Sequence, residues 1–282
     1  MKKLILATVI IMTSCSVFSQ KEQLPTFDDL KHFKATKTYV VLEDNPFSEF
    51  NFEVKDVMEK VWTATEFEFI KMSEFPKKSQ DTNASFLYTS LVSFEKDKTD
   101  SRYVFIHLSL GGENLGIDDL LDIVSVPLGY FGVDQERYIY KTGVLLQFMQ
   151  NHVELMTNDP KIISTNVFKH YNENISNAHD KTLYVLEDEL SKEVSTAARI
   201  KQIYPYKFKI VTIDEIREAV LAKDESIIFL HKVGPEGKKM KARCYNIIIG
   251  AEDSKFYYFD YHMVSPKKPD GFLASDFKKL SR

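Results

Sequence analysis

Near its C-terminal end the chain carries residues whose types and spacing suit proton transfer. In KFYYFDYHMV (Lys255–Val264) a strand period of two puts Tyr258, Asp260 and His262 on one face and Tyr257, Phe259 and Tyr261 on the other. His231 stands on another predicted strand of the same unit, SIIFLHKV. An Asp that orients a His makes the imidazole a usable base. His231, Tyr258, Asp260 and His262 are therefore the candidate ligand-binding residues, with hydrolysis as one use of them. No serine sits in a G-x-S-x-G turn, so no catalytic residue is assigned.

Other chemistry is thinly represented. The adjacent acids Glu43-Asp44 recur as Glu187-Asp188. Paired carboxylates serve calcium or acid–base work, but neighbours on a strand point to opposite faces. Each Asp is expected to cap a following helix, which leaves the repeated Glu without a role. SLGGENLGIDD matches no phosphate-loop spacing and places Glu113, Asp118 and Asp119 where phosphate would sit. The seven histidines are scattered and no HExxH or CxxC exists, so neither a metal nor a cofactor is predicted. Cys244, in KARCYNIIIG, reads as a small buried residue. Most aromatics fall on strands or helix stripes. NPFSEFNF and GYFGVDQERYIY hold them in predicted loops, where Phe47, Phe50, Tyr130 and Phe131 would suit a partner protein or a glycan.

The elements that must position these residues come twice. KTYVVLED (Lys37–Asp44) and KTLYVLED (Lys181–Asp188) agree at six of eight positions, 144 residues apart. FEFIKMSEF then matches FKIVTIDEI at an offset of 141, and SFLYTSLV with SIIFLHKV and RYVFIHLS with RCYNIIIG keep that offset. Helices follow each first strand: Val54, Val57, Met58, Val61 and Trp62 make one stripe, and Leu190, Val194, Ala197, Ile200 and Tyr204 the other. Thr212 and Glu215 fit a capping box that opens a helix over EIREAVLA. The second copy is expected to add one further strand, Lys255–Val264. Between the copies, GIDDLLDIV reads as a short helix, PLGYFGVDQE as a loop, YKTGVLLQFMQNHVELM as the longest helix and KIISTNVFKHYNEN as another.

The expected fold class is α/β (α+β), two similar β-α-β-(α)-β-β units in tandem joined by a helical segment. The boundaries are a signal peptide over 1–19, a first unit over 20–113, a connecting segment over 114–178 and a second unit over 179–282. A unit with a KTYVVLED-like first strand and a step such as YKFKIVTIDEIREAV of the second copy resembles the periplasmic α/β domains of the Tol–Pal propeller protein's N-terminal part and of the curli secretion lipoprotein. That resemblance spans Lys37–Ser109 and Lys181–Val264 and implies envelope assembly through protein contact. The Pro-Phe that often ends the family's first strand is replaced by Glu-Asp in both copies.

Address and charge agree with such a role. MKKLILATVIIMTSCSVFSQ has two lysines, an apolar run and a small-x-small site at Val17-Phe18-Ser19, which predicts export with cleavage near Ser19 to the periplasm or beyond. In an alternative reading Met12-Thr13-Ser14-Cys15 is a lipobox and Cys15 carries a lipid anchor. The net charge of −4 comes without a basic stripe, which argues against nucleic acid. No other run is long and apolar enough for a transmembrane span. The sequence therefore predicts an exported, non-catalytic cell-envelope protein that binds or assembles with an envelope partner. The alternatives are a hydrolase using the Asp/His residues of the second unit and a glycan-binding protein.

Overall fold

The computed structural model describes residues 23–45, 47–94, 97, 99–164, 166–173, 175–237 and 240–282. The predicted signal peptide and Cys15 lie outside them. After α1 (Phe27–Phe33), opened by a Thr26–Asp29 capping box, the first unit runs β1 (Lys37–Leu42), α2 (Glu49–Val61), β2 (Glu66–Lys71), α3 (Phe75–Lys78), β3 (Ala84–Val92), β4 (Tyr103–Leu110) and β5 (Leu121–Tyr130). Two helices, α4 (Thr142–Asn158) and α5 (Val167–Asn172), connect it to the second unit. That unit runs β6 (Thr182–Leu186), α6 (Ala197–Lys201), β7 (Phe208–Val211), α7 (Ile213–Leu221), β8 (Ile227–Val233), β9 (Arg243–Gly250), β10 (Phe256–Met263) and α8 (Ala274–Leu280).

The two sheets have the same topology. Their strand orders are β2-β1-β3-β4-β5 and β7-β6-β8-β9-β10. In each, the first strand lies parallel between the second and third, and the last two join antiparallel. The chain is thus an α/β fold of two similar units.

Several local expectations change. Leu121–Tyr130 is a strand, not the tail of a helix and a loop, so the fifth strand belongs to both units and the first sheet runs on to Tyr130. Ile123, Val124, Val126 and Leu128 are buried in it, and Pro127 is tolerated because β5 is an edge strand with a register shift beside it. The predicted second-copy helix breaks into short 3-10 turns at Glu187–Glu189 and Lys192–Val194 before α6 begins. Its backbone is claimed from outside: Leu190 bridges Phe272, and Ser191 N–H donates to Phe272 O at 3.0 Å. Gly271 makes that approach feasible at φ +121°, where a Cβ would lie 2.9 Å from Ser191 N. The helix N-caps are Ser48 and Thr196 rather than Asp44 and Asp188.

The octapeptide match also slips by one residue. Ungapped, it pairs Val40 with Tyr184. Val40 packs under α2 with Val54 and Met58, whereas Tyr184 packs with α7 on the face away from α6. Val185, beside Ile200 of α6, takes the position of Val40. The offset of 141 fails the same way in the fourth strand, pairing Ile106 under α2 with Ile247 away from α6, but it keeps the face in the third, Leu87 with Ile228. A one-residue slip turns every side chain to the other face.

The units pack through non-equivalent faces. The α2 side of the first sheet and the α7 side of the second share one apolar core, and α4 packs against both. Phe148 of α4 stacks on Phe256 of β10 with centroids 3.5 Å apart, and Asn151 Nδ2 donates to Asp253 O at 3.0 Å. A smaller core lies between the second sheet, α6 and α8.

Candidate functional site

The structure separates the residues singled out in β10 and β8. Tyr258, Asp260 and His262 share the α8 side of β10. Tyr258 OH donates to Asp276 at 2.9 Å, Asp260 accepts from Lys279, and His262 Nε2 bonds Pro269 O at 2.8 Å. His231 lies on the other face, paired with Ile247. It is fully buried, and its Nε2 donates to Pro127 O of the first unit at 2.9 Å. Burial drives its pKa down to about 3, so it stands as a neutral strut between the units. The Asp–His base is not assembled. Tyr258 and Lys279 do border a shallow cleft of about 400 Å³ with Asn172 and Arg282. Cys244 is buried, which pushes its thiol pKa up. Among the described residues no cluster of His, Cys, Asp and Glu is placed to hold a metal ion.

The repeated acids have separate fates at the carboxyl ends of β1 and β6. Glu43 braces a loop. Its Oε2 accepts from Ser48 Oγ at 2.5 Å, and its backbone exchanges hydrogen bonds with the Asn51 amide, N–H to Oδ1 at 2.8 Å and Nδ2 to O at 2.9 Å. Asn51 Nδ2 also reaches Asn45 O at 3.0 Å, and Asn45 Oδ1 accepts from Phe47 N at 3.0 Å. Asn51 is buried, so this amide uses its donors and acceptor on the loop backbone. The first turn of α2 thus holds the backbone at Glu43 and at Asn45.

The entry to α2 displays aromatic surface. Phe47 is 82% exposed and Phe52 64%. They precede and follow the Ser48 cap at hydrophobic-staple positions, yet most of both rings faces solvent. Phe50 and Tyr130 are buried, while Phe131 is half-exposed with the Arg102 guanidinium 4.0 Å from its centroid. Two of the four aromatics considered for glycan contact are therefore core residues.

The second unit turns its acids to other work. Glu187 and Asp188 line a shallow cleft of about 550 Å³ with Leu186, Val211, Thr212 and Ile213, at the carboxyl ends of β6 and β7. Asp188 pairs with Arg137 at 2.6 Å, and Arg137 reaches Glu236 at 2.9 Å. Glu189 is buried 3.8 Å from the buried Lys141 Nζ. Burial raises the Glu189 pKa, against the pull of Lys141 and Lys232.

Three further residues come together without a signal in the sequence. Ser90 Oγ lies 2.9 Å from His107 Nε2, and His107 Nδ1 lies 2.9 Å from Asp122 Oδ2. They stand on β3, β4 and β5, brought into line by the register that sets Tyr88 opposite His107 and Ser109 opposite Asp122. A bulge between Leu108 and Ser109 shifts that register, and no local periodicity reveals it.

Comparison with protein-family models, with curated proteins and with solved structures finds no match for this chain.

Proposed function

We propose that the protein is exported and acts in the cell envelope by binding a partner protein, with Phe47 and Phe52, on either side of the Ser48 helix cap, as the contact element. One observation carries this reading: Phe47, just before the Ser48 cap, and Phe52, in the first turn of α2, stand in solvent where Glu43, Ser48 and Asn51 brace the helix entry. Rigid, exposed aromatics make effective anchors, because little conformational freedom is lost when they enter a pocket. The export-type N-terminal sequence and the envelope-domain resemblance support the address. Among the described residues no helix is long and apolar enough to cross a membrane.

The test places a photo-crosslinking side chain at Asn45 in the producing cell. The expected result is a discrete envelope adduct that disappears when Phe47→Ala and Phe52→Ala are combined. An adduct pattern unchanged in that double variant contradicts the reading.

A further inference from the structure

We propose that Ser90, His107 and Asp122 form a nucleophilic site that transfers acyl groups from esters with good leaving groups. This goes beyond partner binding and rests on a different face of the first sheet. Asp122 accepts twice, from His107 Nδ1 at 2.9 Å and from Ser109 Oγ at 2.5 Å. An ionised carboxylate can only accept, so it fixes the proton on Nδ1 and leaves the Nε2 lone pair facing Ser90 Oγ at 2.9 Å. Tyr88 stacks flat on the imidazole, with centroids 5.0 Å apart at 16°, and holds the ring in plane. This is the order of groups in which an imidazole takes a hydroxyl proton while a carboxylate steadies the imidazolium.

The surroundings define the substrate class. The His107 side chain is 11% exposed and Asp122 37%, while Ser90 is half-buried, so the relay meets solvent at an open face. Phe105, the cross-strand partner of Ser90, is buried against Tyr245, and Phe94, its ring 6.2 Å from that of Phe105, lies under Arg243, so the side of the site toward them is apolar and suits a short aliphatic or aryl acyl group. β1 pairs with β3 only over Ala84–Leu87, so the stretch Tyr88–Val92 has an edge that β1 leaves open beside Ser90. Backbone groups on such an edge are the oxyanion donors available to this site. An open edge is a weaker oxyanion binder than a closed pocket, which selects esters over amides.

The chemistry balances without a cofactor. Ser90 Oγ bonds to the ester carbonyl carbon as its proton passes to His107 Nε2. The C–O bond to the leaving alcohol breaks and the alcohol departs with that proton. Water, deprotonated by the same nitrogen, then cleaves the acyl–Ser90 ester, and the proton on Nε2 returns to Ser90 Oγ. The sum is ester plus water to acid plus alcohol.

The experiment treats the full chain with a fluorophosphonate and maps the adduct by mass spectrometry. The expected result is one adduct on Ser90, absent in Ser90→Ala. His107→Gln should slow labelling about a hundredfold, the scale of a lost general base, with partial rescue by added imidazole. Asp122, as a positioning residue, should slow it about tenfold as Asp122→Asn, with recovery in Asp122→Glu. Melting temperatures identify any variant that fails to fold, and the imidazole rescue and the Asp122→Glu recovery do not depend on that control. No adduct on folded wild-type protein, an adduct on another residue, or a rate unchanged in His107→Gln overturns the proposal. Labelling unaltered by Phe47→Ala keeps this outcome separate from partner binding.

Discussion

The carboxyl ends of β1 and β6 start from nearly the same octapeptide and finish differently. After β1, the Glu43 carboxylate accepts from Ser48, five positions on, and from Thr89 of β3, while its backbone bonds Asn51, eight positions on. After β6, Asp188 and Glu189 reach Arg137 and Lys141, which precede them in the connecting segment, and the backbone of Leu190 and Ser191 pairs with Phe272. One end is braced within its own unit; the other is tied into the junction of the units. A short, nearly identical sequence makes a strand in both places, while the partners within reach decide what its flank does.

Four changes would break or sharpen that comparison. The largest effect is expected at the junction itself. Phe148→Ala removes the ring that stacks on Phe256 between the units, and urea unfolding should show a loss of about 3–5 kcal/mol, the cost of emptying a buried aromatic site. Acid comes next. Burial holds His231 at about 3 and His152 at about 4, below the usual 6.5. The unfolded chain therefore takes up protons below about pH 6.5 that the folded chain refuses, and stability falls as pH drops toward 4. At pH 5 each histidine should cost about 2 kcal/mol, and His231→Gln should flatten the profile. Third, Ser48→Ala should cost about 1–2 kcal/mol by removing both the cap and the Glu43 brace. Asp188→Ala should cost less than about 1 kcal/mol, because its pair with Arg137 faces solvent. A larger loss from Asp188→Ala than from Ser48→Ala would reverse the contrast.

Period and capping chemistry made much of this legible. The shared strands, α2 and α7 with its Thr212–Glu215 box follow from residues within one or two turns of each other. α4 buries Leu146 and Val153 besides Val144, Leu145, Phe148, Met149 and Met156, a face too wide for one sheet, because it packs against both. β5 hid behind Ile117-Asp118-Asp119, whose 3-10 turn imitates a helix start, and behind a Pro and a Gly inside the strand. The role of Glu43 needed Asn51 folded back against it. The line from Ser90 to His107 to Asp122 needed the register of two antiparallel pairings, one of them bulged. In each case the missing information is a pairing between distant residues, which local pattern does not contain.

The most direct measurement compares the two strand ends in one experiment. A photo-crosslinking side chain is placed at Phe47 in one variant and at Glu187 in another, both expressed at native level in the producing cell. The account predicts a discrete envelope adduct from position 47 and none from position 187. An adduct from position 187 with none from position 47 would contradict it, moving partner recognition to the cleft of the second unit.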